Sequence, residues 1–143
     1  MSVMLLSDTA RLPEKMTENA AGYDIFADLA QVITINPFQR ILIPTGFAIA
    51  LPEGYEAQIR PRSGLAVKYG ITVINSPGTI DSDYRGEVKI GLINLSETPF
   101  HLEPQMRIAQ MIVSKHEYVE FVLKKELPDT ARGKGGFGHT NYK

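Results

Sequence analysis

The sequence predicts an all-β fold, a jelly-roll-like antiparallel sandwich or barrel with one short helix. Three observations carry that expectation. Gly and Pro recur at short intervals (Pro13, Gly22, Pro37, Pro44, Gly46, Pro52), leaving runs too short for ordinary helices. Several of those runs alternate apolar and polar residues with period two, the mark of strands buried on one face. Turn signals return roughly every 8–12 residues, the spacing of sandwiches and jelly rolls.

The elements follow in chain order. Ala21–Ala27 reads as a strand with one acid, Asp24, among apolar neighbours. Gln31–Ile35, Gln39–Ile43 and Phe47–Leu51 are further strand candidates. In Tyr55–Arg60, Tyr55, Ala57 and Ile59 share one face and Glu56, Gln58 and Arg60 the other. Pro61–Gly70 reads as a strand end turning into a short helix, with Ser63 as N-cap and Gly70 as the left-handed stop. After Ile71–Asn75, the segment Asn75–Gly86 lies between two strand patterns as a hairpin with an elaborate tip. Val88, Ile90 and Leu92 alternate with Glu87 and Lys89 in the strand that leaves it. Arg107–Val113 is apolar on both faces, which fits either a subunit interface or the central strand of a monomeric sandwich. Val119–Leu123 is the last strand candidate. Residues 1–127 thus form one β domain, and residues 128–143 a flexible arm crowded with glycine, which is costly to order.

Composition narrows the function. A chain of 143 residues with 43% apolar and 22% charged residues is ordinary for one globular domain. Fifteen Lys and Arg against sixteen Asp and Glu argue against a nucleic-acid polymer as partner. Without cysteine there are no disulfides, thiolate nucleophiles or cysteine metal sites. No apolar stretch is long enough for a membrane span, and the first residues do not resemble a signal peptide, so a cytoplasmic protein is expected. His101, His116 and His139 have no metal-ligand spacing.

Three segments could carry chemistry. A helix start beside Arg62 offers donors suited to phosphate, although Ser63 could equally cap the helix and Arg62 be solvated. In the hairpin, Asp81 and Asp83 would share a face if extended, and a carboxylate in a concave hairpin can hold and deprotonate a water. Ordinary turn chemistry is the plain alternative there. Asp24 could anchor a metal or an arginine, or lie exposed on the outer face. By residue type alone, the tail around Phe137 is a frayed terminus.

The order of these pieces is far more specific than any one of them. Ala21-Gly22-Tyr23-Asp24, Pro61-Arg62-Ser63-Gly64-Leu65-Ala66, Gly78-Thr79-Ile80-Asp81-Ser82-Asp83-Tyr84-Arg85-Gly86, Arg107-Ile108-Ala109-Gln110 and Arg132-Gly133-Lys134-Gly135-Gly136-Phe137-Gly138 resemble, in sequence and order, the five motifs of the trimeric dUTP diphosphatase (dUTPase) family. The resemblance covers about residues 18–140.

It implies a jelly-roll homotrimer with sites at subunit interfaces and Mg2+-dependent hydrolysis of dUTP to dUMP and pyrophosphate. By the same resemblance, Asp81 is the base that deprotonates the attacking water. Asn75, Gly78, Thr79 and Ile80 form the wall that reads uracil, and Tyr84 packs under the deoxyribose where a 2′-hydroxyl would clash. Lys89 contacts substrate through its backbone, Arg62, Ser63 and Gly64 cradle phosphate, and Gln110 holds phosphate or water, while Arg107 looks structural. Asp24 would anchor Mg2+ through water. The arm would close over the nucleotide, with Phe137 on uracil and Arg132, Gly138 and Thr140 on the outer phosphates. His139-Thr140-Asn141 departs from the family's Ser-Thr-Gly, leaving the contacts of His139 open. Two other readings remain: dCTP deaminase, which shares the fold and would release ammonia, and a nucleotide-binding regulator on the same scaffold.

Overall fold

The computed structural model describes residues 1–136. Ten strands and one helix follow in order: β1 (Ser2–Leu5), β2 (Tyr23–Phe26), β3 (Ile33–Ile35), β4 (Arg40–Ala50), β5 (Tyr55–Arg60), α1 (Ser63–Tyr69), β6 (Ile71–Val73), β7 (Gly78–Ile80), β8 (Glu87–Asn94), β9 (Phe100–Leu102) and β10 (Arg107–Lys115). They form two four-stranded antiparallel sheets, β1-β4-β8-β6 and β2-β10-β5-β7, with β3 and β9 as a separate pair. The all-β, jelly-roll-like expectation holds.

The inward residues of both sheets form one core, with Ile25, Ile43, Phe47, Ile90, Ile108 and Met111 essentially free of solvent. Asn94, fully buried at the end of β8, has both ends of its amide satisfied. Its Nδ2 donates to the carbonyls of Ile35 and Thr98, and its Oδ1 accepts from the Ser96 amide and hydroxyl. A buried amide with every partner present fixes where β3, β8 and the loop to β9 meet.

Several sequence expectations change in physically informative ways. Gln39–Ile43 and Phe47–Leu51 are one strand, β4, whose pairing with β8 shifts register between Pro44 and Ala48. Gly46, at φ 68°, takes the left-handed conformation inside that irregularity, and its N–H donates to Glu87 Oε1. The helix begins at Ser63, so Arg62 occupies the N-cap with extended backbone and no side chain caps the helix. Ser63 therefore does not act as the cap, and its hydroxyl is not engaged there. Gly70 ends the helix in left-handed geometry, as expected, donating its N–H to the Ala66 carbonyl.

β10 runs between β2 and β5, which fits the central-strand reading of its apolar sequence. Ile108, Ala109 and Met111 are buried while Gln110, Ile112 and Val113 are half-buried. The alternating segment Val119–Leu123 forms no strand: Tyr118 is 94%, Phe121 96% and Leu123 99% exposed. Alternation marks a segment able to pair, and among the described residues this one has no partner strand.

Candidate functional site

Two cavities gather most of the expected site residues. The first, about 430 Å³, opens between the sheets and is walled by the hairpin: Gly78, Thr79, Ile80, Asp81, Tyr84 and Lys89 all line it. β7 forms that wall because Gly78, Thr79 and Ile80 pair in register with Ile59, Gln58 and Ala57 of β5. The chain then turns over Asp81–Tyr84, closed by the Tyr84 N–H donating to the Asp81 carbonyl at 3.2 Å. Asp81 and Asp83 consequently lie in a turn rather than in extended geometry, and Asp83 is not among the lining residues.

The turn is braced from outside. Arg85 Nη1 donates to the carbonyls of Ser82 (2.6 Å) and Tyr84 (2.8 Å), and the Tyr84 hydroxyl donates to the Glu87 carbonyl (3.0 Å). Asn75 stands just outside the cavity wall. Its Nδ2 fills the space beside Gly78, where a Cβ would stand only 2.8 Å away. Sequence reasoning missed Leu42, which closes the cavity from β4, and Glu87, whose carboxylate bonds the Gly46 amide at 3.0 Å and reaches Lys89 Nζ at 3.4 Å. Both act through pairing of β4 with β8, for which no local pattern exists.

The second cavity, about 600 Å³, lies on the outer face of the β2-β10-β5-β7 sheet and is lined by Asp24, Arg62, Ser63, Gly64, Arg107 and Gln110 among others. Register assembles it: Gln110 of β10 pairs with Asp24 of β2 on one side and Arg60 of β5 on the other. A shift between Arg107 and Ala109 breaks strict alternation, so Arg107 joins Gln110 in the cavity while Ala109 and Met111 stay buried. Asp24, its side chain only 13% exposed, receives Arg107 Nη1 at 3.0 Å and Arg62 Nη2 at 3.5 Å, both on Oδ2. Arg62 Nη1 also donates to the Arg107 carbonyl at 3.0 Å. The two guanidinium groups are thereby fixed side by side, with one carboxylate offsetting part of their charge. Gln110 donates to the Pro61 carbonyl at 3.1 Å and covers Gly22, where a Cβ would stand 2.6 Å from its Oε1.

Ile59 lines the first cavity and Arg60 the second, and neighbouring residues of a strand point to opposite faces. Among the described residues the two cavities share no lining residue. Arg132 lines neither; it lies in an exposed turn and donates to the Gly135 carbonyl at 2.9 Å. Phe137, Gly138 and Thr140 lie outside the described residues.

Among the described residues no group of three or more His, Asp or Glu converges as a metal cage. The donor set still fits one metal. Mg2+ keeps most of its waters and commonly takes one or two carboxylates together with substrate phosphates. Asp24 offers such a carboxylate beside the arginines, and its Oδ1 accepts no hydrogen bond from the described residues.

Among the described residues no helix is long and apolar enough to cross a membrane. Comparison with known proteins agrees with the geometry. The dUTPase family model matches residues 8–141. The deoxyuridine 5′-triphosphate nucleotidohydrolase of Rickettsia felis is 60% identical over 90% of this chain and 87% of its own length. That of Fusobacterium nucleatum is 50% identical over 96% and 94%. Among solved structures, a mutant dUTPase of Staphylococcus bacteriophage 80alpha with dUpNHpp superposes with a TM-score of 0.89 at 28% identity, covering 97% of this chain and 96% of that one. A mutant dUTPase of S. aureus phage phi11, described for its coordination of a structural Mg(II) ion, gives 0.80 at 25% identity, over 90% of this chain and 98% of that one. With residues of four of the five motifs lining two cavities and a family match over nearly its whole length, this chain belongs to the dUTPase family.

Proposed function

We propose that this protein hydrolyses dUTP to dUMP and pyrophosphate, which removes dUTP and supplies the precursor of dTMP. The observation that carries the reading is the hairpin cavity, where Asp81 and Tyr84 stand on one turn beside the backbone of Gly78–Ile80. In this reading the polar edge of uracil bonds the hairpin backbone, with Asn75 behind it, and the deoxyribose rests on Tyr84. Asp81 accepts a proton from a water, the water oxygen bonds the α-phosphorus, and the bond from that phosphorus to the pyrophosphate oxygen breaks. Lys89 lies at the far wall and contributes through its backbone.

Arg62, Ser63, Gly64 and Gln110 hold the phosphates, the planar guanidinium supplying paired donors to phosphate oxygens. Asp24 keeps Arg62 and Arg107 in place and offers its second oxygen to the water shell of Mg2+. When bound, Mg2+ would neutralise phosphate charge as the leaving group departs.

The two cavities open on opposite faces of β5, so in this reading no single copy applies both to one nucleotide. We infer a homotrimer in which the hairpin of one copy faces the arginine cavity of the next. The exposed apolar side chains of Tyr118, Val119, Phe121, Val122, Leu123 and Leu127 support it, since so many in one short segment mark an interaction surface. Residues 128–143 form the arm that closes over a bound nucleotide, Phe137 stacking on uracil and Arg132, Gly138 and Thr140 reaching the outer phosphates. The reading places a soluble nucleotide substrate and its enzyme in the cytoplasm, with no nucleic-acid polymer or membrane as partner.

The test is a product assay. Protein, Mg2+ and dUTP should yield dUMP and pyrophosphate in equal amounts, with UTP, dTTP and dCTP poor substrates. Ammonia released from dCTP would instead establish the deaminase, and binding of dUTP without turnover would establish the regulator.

A further inference from the structure

Gly86 has no backbone reason to be glycine. Gly46, Gly54 and Gly70 sit at positive φ, where side chains are disfavoured, whereas Gly86 does not. What excludes a side chain there is Tyr84. A Cβ on Gly86 would stand 2.6 Å from Cζ and 3.1 Å from Cε2 of the Tyr84 ring, and closer still to the phenol oxygen. The ring thus lies down over bare backbone, its hydroxyl bonded to the Glu87 carbonyl at 3.0 Å. Its own carbonyl is clasped by Arg85 at 2.8 Å and its amide by the Asp81 carbonyl at 3.2 Å. Both ends of the tyrosine are held, and the missing Cβ sets the height of the ring.

We propose that Gly86 is a specificity-determining positioning residue: by leaving the space beneath Tyr84 empty, it seats the ring at the height that admits a deoxyribose and excludes a ribose. The inference rests on the dUTP reading above, in which Tyr84 meets the sugar. A methyl group at residue 86 pushes the outer end of an exposed ring, which yields more readily than the sheet does. The fold and Asp81 therefore survive while the surface facing C2′ moves. Because the ring is displaced along with its hydroxyl, the Glu87 bond is lost in the same step.

The test is kcat/KM for dUTP and for UTP in the wild-type protein, Gly86→Ala, Tyr84→Ala and the double variant, with folding checked by circular dichroism. Gly86→Ala is expected to lower the dUTP-to-UTP ratio about tenfold, within the range a site reaches when rejecting one added hydroxyl. In the Tyr84→Ala background the same change should alter the ratio less than about twofold, since the coupling runs through the ring. A folded Gly86→Ala protein with the wild-type ratio overturns the inference and leaves the dUTP activity standing. So does an equal drop in the Tyr84→Ala background. Wild-type protein that does not turn over dUTP overturns the activity itself, and the inference with it. A second measurement does not depend on a Gly86 variant folding. The Gly86 Hα resonances should be displaced by the ring current in the wild type and return to ordinary values in Tyr84→Ala, and undisplaced wild-type resonances overturn the seat.

Discussion

The hairpin cavity and the arginine cavity are built by opposite means. The hairpin wall is mostly backbone: Gly78–Ile80 pair with β5, the Asp81–Tyr84 turn closes on itself, and Gly86 leaves room for a ring. The outer cavity is made of long side chains brought together across three strands, with Asp24 holding Arg62 and Arg107. In the proposed dUTP reading the first takes the flat, largely uncharged base and sugar, which must be discriminated by fit. The second holds positive charge in a fixed place, which is what a flexible polyanion requires. In that reading neutral recognition comes from shape within one short segment, and charge recognition from register between distant ones.

The sharpest way to break this division is at Asp81, which lines the hairpin cavity at the turn that also carries Tyr84. Asp81→Asn should lower kcat by about 10²–10⁴-fold, the usual contribution of a positioned base. Binding of a non-hydrolysable dUTP analogue, followed by calorimetry, should be nearly unchanged. A variant that retains turnover removes Asp81 from the chemistry.

Arg62→Ala strikes the other cavity. Losing a charged donor to phosphate should lower kcat/KM by about 10–100-fold, read in the same steady-state assay. Mixing the two impaired proteins after dissociation and reassembly then tests how the cavities meet, read above the residual activity of each alone. If each site joins the hairpin of one copy to the arginine cavity of another, random reassembly leaves about a quarter of the sites with both intact parts. Activity should reappear to that extent. If one copy supplied both cavities to the same nucleotide, mixing would restore nothing.

Asp24→Asn should act more modestly and mainly through order. With its carboxylate charge removed, Arg62 and Arg107 stand beside each other without compensation. A loss of about 1–2 kcal/mol is expected, because the arginines are partly solvated and the pair is screened. Thermal unfolding followed by circular dichroism should show a midpoint lower by a few degrees, together with a raised KM. Unchanged stability would mean that water already separates these charges in solution.

The same contrast governs what was legible in the sequence. The hairpin could be read because its chemistry is local: Asn, Ser, Pro, Gly and Asp mark a turn between two alternating runs, and the five ordered motifs point to the residues within it. The outer cavity could be read only as isolated fragments. Nothing local says that Asp24, Gln110 and Arg60 form one row, or that a register shift turns Arg107 toward them. Arg60 was visible on the polar face of its strand but had no partner to give it meaning. The failure at Val119–Leu123 has the same origin, since alternation reports the capacity to pair and not the presence of a partner. β1 and β9 went unread for another reason. β1 is a short edge strand and β9 has three residues, so each is defined by its neighbour rather than by its own pattern.

Asp83 provides the finest test. Two residues from Asp81, it would share a face with it in a strand, and two carboxylates on one face could divide the work of the base. The turn separates their roles: the Tyr84 amide bonds the Asp81 carbonyl, Asp81 lines the cavity and Asp83 lies exposed outside it. Substitution of an exposed acid away from the site changes free energies by about 0.5 kcal/mol or less. Asp83→Asn should therefore keep kcat within about twofold of wild type, measured beside Asp81→Asn at the same Mg2+ concentration. A loss approaching that of Asp81→Asn would make the two acids a working pair, and the hairpin would then discriminate by charge as well as by shape.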